Sequence, residues 1–253
     1  IYQRKFELPD WGTTDVALNI GACDYDTWIY INDQLVSQHR GGYTPMHINI
    51  GDYLQPGINQ ITVCAADSNS WQQPRGKQEG TTRWPIDYDP VIGIWQSVWL
   101  EPINKRHLLN IGSHYAMDER ILHLTCEISE ALTGQVRATL KIKGTTHCTT
   151  QTEAQSRSEV RLTLFIDEPI LWSPESPHLY DLEIELVDEN GNVIDRAESH
   201  AGLRQLTVTG GKHCLNGEPL YLRGILDQGY FPEGWYSPAD DHALRQDIEL
   251  TKA

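Results

Sequence analysis

Between Asp67 and Ile92 runs a long irregular stretch rich in Gln, Arg, Gly, Asp and aromatic residues, and a loop of that length within a compact domain is more often functional or disordered than idle. Asp87, in Ile86-Asp87-Tyr88-Asp89-Pro90, is a carboxylate suited to accepting two hydroxyl hydrogen bonds. Charged hydrogen bonds of that kind contribute roughly 1.5–3 kcal/mol each. The alternative is a solvated or turn-stabilising aspartate. Arg75, Lys77 and Gln78 bring hydrogen-bond donors for a polar ligand, or serve a loop that docks on the rest of the protein. Trp71, Trp84 and Tyr88 offer flat faces on which a ligand could stack, although tryptophans more often fill cores and interfaces. Trp28, Trp95, Trp99 and Trp172 fall in strand or packing motifs and read as core. The ten histidines show no H-x-x-x-H spacing and the five cysteines no C-x-x-C pair, so neither a metal site nor a cofactor is indicated.

The elements that must carry this loop are strands. Arg4 to Leu8 and Val16 to Ile20 alternate, and Trp28 to Ile31, a polar Asn32-Asp33-Gln34 turn, and Leu35-Val36 read as a hairpin. Ile58 to Ala65 follows a Pro56-Gly57 turn, and Val98 to Leu100 closes the block. Many short strands without a helix predict a β-sandwich or jelly roll over 1–103. Residues 104–205 form a second β block. There Ile121–Ile128, Val136–Ile142, Val160–Ile166 and Asp181–Val187 alternate, and about seven strands fit an immunoglobulin-like sandwich. From 206 the pattern changes. Leu215-Asn216-Gly217 predicts a tight hairpin, because Asn-Gly tolerates positive φ. Leu220, Leu222 and Ile225 predict a short buried strand. Ser237 or Asp240 can cap a helix carrying Ala243, Leu244, Ile248 and Leu250. A strand and a helix after two β blocks suggest the first unit of a (β/α) barrel, incomplete within 206–253.

The net charge of −15 argues against nucleic acid or an anionic membrane as partner. No apolar run approaches the ~20 residues that span a bilayer. The scattered cysteines read as reduced thiols, which favours a reducing compartment such as the cytoplasm. A leader peptide could still precede the strand with which this sequence opens.

Several segments taken together resemble glycoside hydrolase family 2, which includes β-galactosidases, β-glucuronidases and β-mannosidases. They are Gly21 to Asp26, Asn32 to Val36 with His39-Arg40-Gly41-Gly42-Tyr43-Thr44-Pro45, Arg75 to Gln78, and Gly93-Ile94-Trp95 through Glu101. Leu171 to Pro174, Pro177 to Tyr180, Gly202-Leu203-Arg204, Leu215 through Gly224, and Leu244 to Leu250 continue the match in order. The resemblance implies a sugar-binding jelly roll clipped at its start, an immunoglobulin-like sandwich and the opening of a catalytic (β/α)₈ barrel. It implies a retaining mechanism on β-glycosides, with both catalytic carboxylates on later barrel strands, so no catalytic residue is assigned. In several members an aspartate six residues before the Gly-Ile motif reaches sugar hydroxyls, and Asp87 matches it. Where many members place an Asn-Arg-His-like run in the active site, this chain has Asp227 and Gln228 at the mouth of the first strand. That departure leaves the sugar open. A structural salt bridge is the alternative for Asp227. The expected substrate-binding set is therefore Asp87, Asp227, Gln228, Arg75, Lys77 and Trp84, in a fragment that positions substrate and is itself inactive. The competing readings are a stand-alone carbohydrate-binding module and a structural protein. An exposed helix face could also drive homo-oligomerisation.

Overall fold

The computed structural model describes residues 1–12, 15–68, 70–78 and 87–253, which form two compact units: 1–103 with 225–253, and 104–224. The first unit contains β1 (Tyr2–Glu7), β2 (Val16–Ile20), β3 (Cys23–Asp24), β4 (Asp26–Ile31), β5 (Gln34–Arg40), β6 (Met46–Asn49), β7 (Ile58–Ala66), β8 (Gly93–Ile94) and β9 (Val98–Pro102). One sheet has the order β1-β7-β4-β5 and the other β6-β2-β9, and β3 pairs with β8 beside them. All these pairs are antiparallel, as a jelly roll requires.

The core follows from alternation. Along β4 the side chains of Thr27, Ile29 and Ile31 are buried while those between them are partly open. They meet Val16, Leu18, Ile20, Met46, Ile50 and Val63 from neighbouring strands. All five residues of β2 are buried, Asn19 included. Asn19 is tolerated there because its Nδ2 donates to Glu101 Oε1 at 2.8 Å and its Oδ1 lies 2.7 Å from His47 Nδ1. The β4–β5 turn is two residues long, with Asn32 at φ 48° and Asp33 at φ 65°. Gln34, expected in the turn, instead pairs with Ile31.

The second unit is the immunoglobulin-like sandwich. Its strands are β10 (Leu108–Ala116), β11 (Ile121–Leu132), β12 (Gly134–Ile142), β13 (Thr145–Glu153), β14 (Arg157–Phe165), β15 (Tyr180–Asp188) and β16 (Val193–Ala201). The sheets are β10-β11-β14 and β13-β12-β15-β16, and between them lie Leu122, Leu124, Cys126, Val136, Leu140, Leu162, Ile184 and Leu186. On the outer face Glu185 sits between Arg137 and Arg196, with Arg137 Nη1 at 2.9 Å. Burial alone would raise its carboxyl. The hydrogen bonds and charges of Arg196 and Arg137 outweigh that and hold it below the usual range. A small sheet of β17 (Leu206–Thr209), β18 (Lys212–Leu215) and β19 (Glu218–Pro219) completes the unit. Its Asn216-Gly217 turn has φ values of 52° and 85°, the left-handed pair that favours these residues. Asn216 also donates from Nδ2 to Trp172 O at 3.0 Å and accepts from Gln205 N at 3.0 Å.

Two expectations are corrected. Leu220, Leu222 and Ile225 form no buried strand: 220–230 carries no ladder, and Leu222 and Ile225 are 61% and 66% exposed. A strand exists only where a neighbour takes its backbone hydrogen bonds, and after Leu220 N, which donates to His213 O at 2.7 Å, the described residues show no such ladder. Trp99 is not core either. It is 46% exposed because β9 is an edge strand pairing only with β2, and Trp28, Trp95 and Trp172 are half-buried. The predicted helix is present as α1 (Asp241–Lys252), and Asp240 caps it by accepting from Ala243 N at 2.9 Å. Its Leu244 and Ile248 remain exposed. All five cysteines are free, and burial raises Cys126 to about 11, which leaves an inert thiol.

Candidate functional site

The loop after β7 is held by Gln78, which is 2% exposed. Its backbone N–H donates to Arg75 O at 3.1 Å, its side-chain Nε2 donates to the Tyr236 hydroxyl at 2.6 Å, and its Oε1 accepts from Val91 N. Gln78 and Tyr88 form a parallel bridge, and Tyr88 N donates to Lys77 O at 3.0 Å. The two flanks of the loop are thereby laced together on either side of residues 79–86. A side chain so buried and fully engaged fixes the loop's register, because each bond lost would strand a desolvated group.

Tyr236 is the hub on the other side. Its hydroxyl lies 2.9 Å from that of Tyr43, and its ring is 5.2 Å from that of Trp95. Trp95 Nε1 donates to Gly42 O at 2.7 Å, and Ser237 Oγ donates to Trp95 O at 2.7 Å. Burial, followed by the neighbouring Tyr43 hydroxyl, pushes the Tyr236 phenol upward, so it is a neutral hydrogen-bonding group. Below it, Asp24 is 3% exposed. Its Oδ1 has no hydrogen-bond partner among the described residues. Burial first, and the charge of Asp67 second, raise its carboxyl to about 6. Gly42 must be glycine here, because a Cβ would fall 2.4 Å from Asp24 Oδ1.

Around this hub stand the residues that could meet a ligand. Lys77 Nζ donates to Gln228 Oε1 at 3.2 Å, so two of the expected site residues touch across 151 positions of sequence. Tyr88 and Tyr230 stack with centroids 4.3 Å apart and planes 15° from parallel. The Tyr230 hydroxyl donates to Asp89 O at 2.8 Å. Asp87 is half-buried beside Tyr88. Asp227 is exposed, and its Oδ1 accepts from Gly229 N at 2.8 Å to close a turn. Arg75 lies 4.4 Å over the ring of Trp71, which is 84% exposed. Trp84 lies outside the described residues. The structure thus joins Lys77 to Gln228 and seats Asp87 on the same laced loop. It adds Asp24, Tyr43, Trp95 and Tyr236, which sequence reasoning did not name as site residues. The Gly41-Gly42-Tyr43 run was the visible signal, since paired glycines mark a close backbone approach.

Chemically, this arrangement presents acceptors, donors and ring faces on a braced surface. Such a surface can orient hydroxyl groups. Among the described residues no group of three or more His, Cys, Asp or Glu could hold a metal ion.

Comparison with known proteins gives consistent matches. Residues 1–102 match the model for the sugar binding domain of glycosyl hydrolases family 2, and residues 110–204 match a further model of that family. A β-galactosidase from Thermoanaerobacter pseudethanolicus is 28% identical over 88% of this chain and 30% of its own length. A β-glucuronidase from Paenibacillus borealis is 25% identical over 88% of this chain and 39% of its own. In the fold comparison, a β-glucuronidase from Ruminococcus gnavus in complex with uronic deoxynojirimycin superposes with a TM-score of 0.78 at 23% identity. That match covers 99% of this chain and 43% of that one. The chain therefore spans between about three tenths and just over two fifths of these relatives' lengths.

Proposed function

The chain belongs to glycosyl hydrolases family 2, and from that premise we propose that it is the substrate-positioning, N-terminal part of a β-glycosidase. On this reading residues 1–103 are the sugar-binding jelly roll, 104–205 the immunoglobulin-like support and 206–253 the opening of the barrel. The reaction proceeds with retention. One carboxylic acid protonates the leaving oxygen, and a second carboxylate, about 5–5.5 Å away, attacks the anomeric carbon. Neither acid is assigned to these 253 residues, so the chain alone is inactive. Its own contribution is to hold sugar hydroxyls with Asp87, Lys77, Gln228 and Asp227, with Arg75 and Trp84 on the same loop completing the set.

The observation that carries this reading is the contact of the 67–91 loop with the segment after Gly224. Lys77 meets Gln228, Gln78 meets Tyr236 and Tyr88 stacks on Tyr230. These contacts tie jelly-roll residues to the stretch that would follow the barrel's first strand. The exposed Ile225, Leu226, Ile248 and Leu250 support it too, since exposed apolar surface marks an interaction face.

The test is hydrolysis of a panel of aryl β-glycosides by this chain and by a form carrying a complete family barrel. Cleavage of one sugar by the long form alone supports the proposal and names the substrate. Turnover by the short chain refutes it. If neither cleaves but the short chain binds oligosaccharide, the protein is a binding module.

A further inference from the structure

Glu7 pairs with Ile58, the first residue of β7, so the β1–β2 connection and the β6–β7 connection meet at one end of the sheet. Between them lies a surface cavity of about 780 Å³. It sits at the opposite end of β7 from the 67–91 loop, the length of the strand Ile58–Ala66 away, or roughly 27 Å for its residue-to-residue steps at ~3.4 Å each. From this cavity's lining we propose a binding site for a neutral oligosaccharide, centred on Trp11 and Glu7.

One wall is pinned by hydrogen bonds. Asn59, 1% exposed, accepts from Gln55 N at 2.9 Å and donates to Gln55 O and Gly57 O at 2.9 and 3.0 Å. It is itself held by Asn32 Nδ2 at 2.8 Å, so the Gln55–Gly57 wall is pinned from inside the protein. On the facing wall Asp10 Oδ1 accepts from Gly12 N at 3.2 Å and shapes the turn beside Trp11. Trp11, Leu8 and Leu54 each pack partly on the core and partly line the cavity. A wall fixed in advance loses little conformational entropy when a ligand arrives.

The chemistry of the lining selects the ligand. An indole with leucine and proline surface suits the C–H face of a pyranose. The Glu7 carboxylate and Gln55 Oε1 take no partner among the described residues, and both only accept hydrogen bonds, which sugar hydroxyls donate. No Lys, Arg or His is among the lining residues, so an anionic ligand would meet two carboxylates with no compensating charge. The volume falls within the ~300–1,000 Å³ of ordinary ligand sites. This site does not depend on the hydrolase reading, because it needs only the first unit.

The experiment titrates the ¹⁵N-labelled chain with cellotetraose, xylotetraose and β-1,4-galactotetraose, with tri-lysine as the cationic control. Binding by at least one sugar is expected to shift the Trp11 indole N–H and the amides of Gly12, Gln55 and Gly57. Glu7→Ala, at an exposed position, should weaken that sugar about tenfold or more while leaving thermal unfolding unchanged. Trp11→Phe, which keeps most of the core contact, should weaken it as well. The proposal is overturned if no sugar shifts these signals at millimolar concentration, or if the shifts fall on 71–91 instead. It is equally overturned if tri-lysine shifts them and the sugars do not, or if both variants bind like the parent chain.

Discussion

Replacing Asp24 by Asn should stabilise the first unit near neutral pH, and the gain should vanish in acid. Asp24 is 3% exposed, and its carboxyl is raised from 3.8 to about 6, by burial first and by Asp67 second. A folded-state pKa above the unfolded one means the native protein prefers the neutral acid. Its contribution is therefore intact below about pH 4 and is lost progressively as pH rises through 6. A difference of about 2 units at 1.36 kcal/mol each gives on the order of 3 kcal/mol lost by pH 7–8. Asn keeps the shape and cannot ionise, so Asp24→Asn should recover most of that amount at pH 7.5 and almost none at pH 4. Urea titrations read by hydrogen-exchange mass spectrometry of β4 and β7 peptides would score this unit by itself. A stability difference that stays flat from pH 4 to 8 would show that the acid is not buried in its charged state as described.

Other perturbations follow from the same contacts. Gln78→Ala leaves Val91 N–H without its partner, at about 1–3 kcal/mol, and takes from the Tyr236 hydroxyl one of its two contacts, that to Tyr43 remaining. Limited trypsinolysis should then cut faster after Arg75 and Lys77, and an unchanged rate would count against the lacing. Gly42→Ala drives a methyl group to within 2.4 Å of Asp24 Oδ1 and should cost about 1–3 kcal/mol, read as a lower urea midpoint for unit 1. Glu185 works in the opposite sense to Asp24. Its folded-state pKa is lowered, so its contribution is present above the unfolded value and disappears as pH falls through the folded one. Glu185→Gln should lower the stability of the second unit at pH 7, with the gap to wild type closing in acid when both are unfolded in urea.

Much of the fold was legible because its signals are local. Thr27, Ile29 and Ile31 alternate with outward residues, Asn32-Asp33 and Asn216-Gly217 sit where positive φ is needed, and Asp240 stands one residue before its helix. The strand β13 was not legible. Thr145 to Glu153 is threonine-rich and carries no apolar alternation, and it is held as an edge strand by pairing with β12 alone. Residues 220–226 erred the other way, because their apolar spacing is strand-like while the ladder a strand needs comes from elsewhere in a structure. In the site, Lys77 and Gln78 stood out by their donors. Tyr43 and Tyr236 did not, since their hydroxyls meet across 193 residues and no local pattern announces such a contact. Asp24 is followed by Tyr25 and Asp26, and no local pattern marks it as buried, because burial is set by the strands around it.

The account stands or falls on whether the laced loop touches sugar, and Asp87 is its most direct probe. In a catalytically active form carrying the complete barrel, kcat/KM should be measured for the cleaved glycoside with Asp87 and with Asp87→Asn. Loss of a charged hydrogen bond to a sugar hydroxyl predicts a fall of about 10- to 150-fold. A deoxy-glycoside lacking the contacted hydroxyl should show almost no further loss. An Asp87→Asn enzyme as efficient as its parent on every glycoside would contradict the central claim.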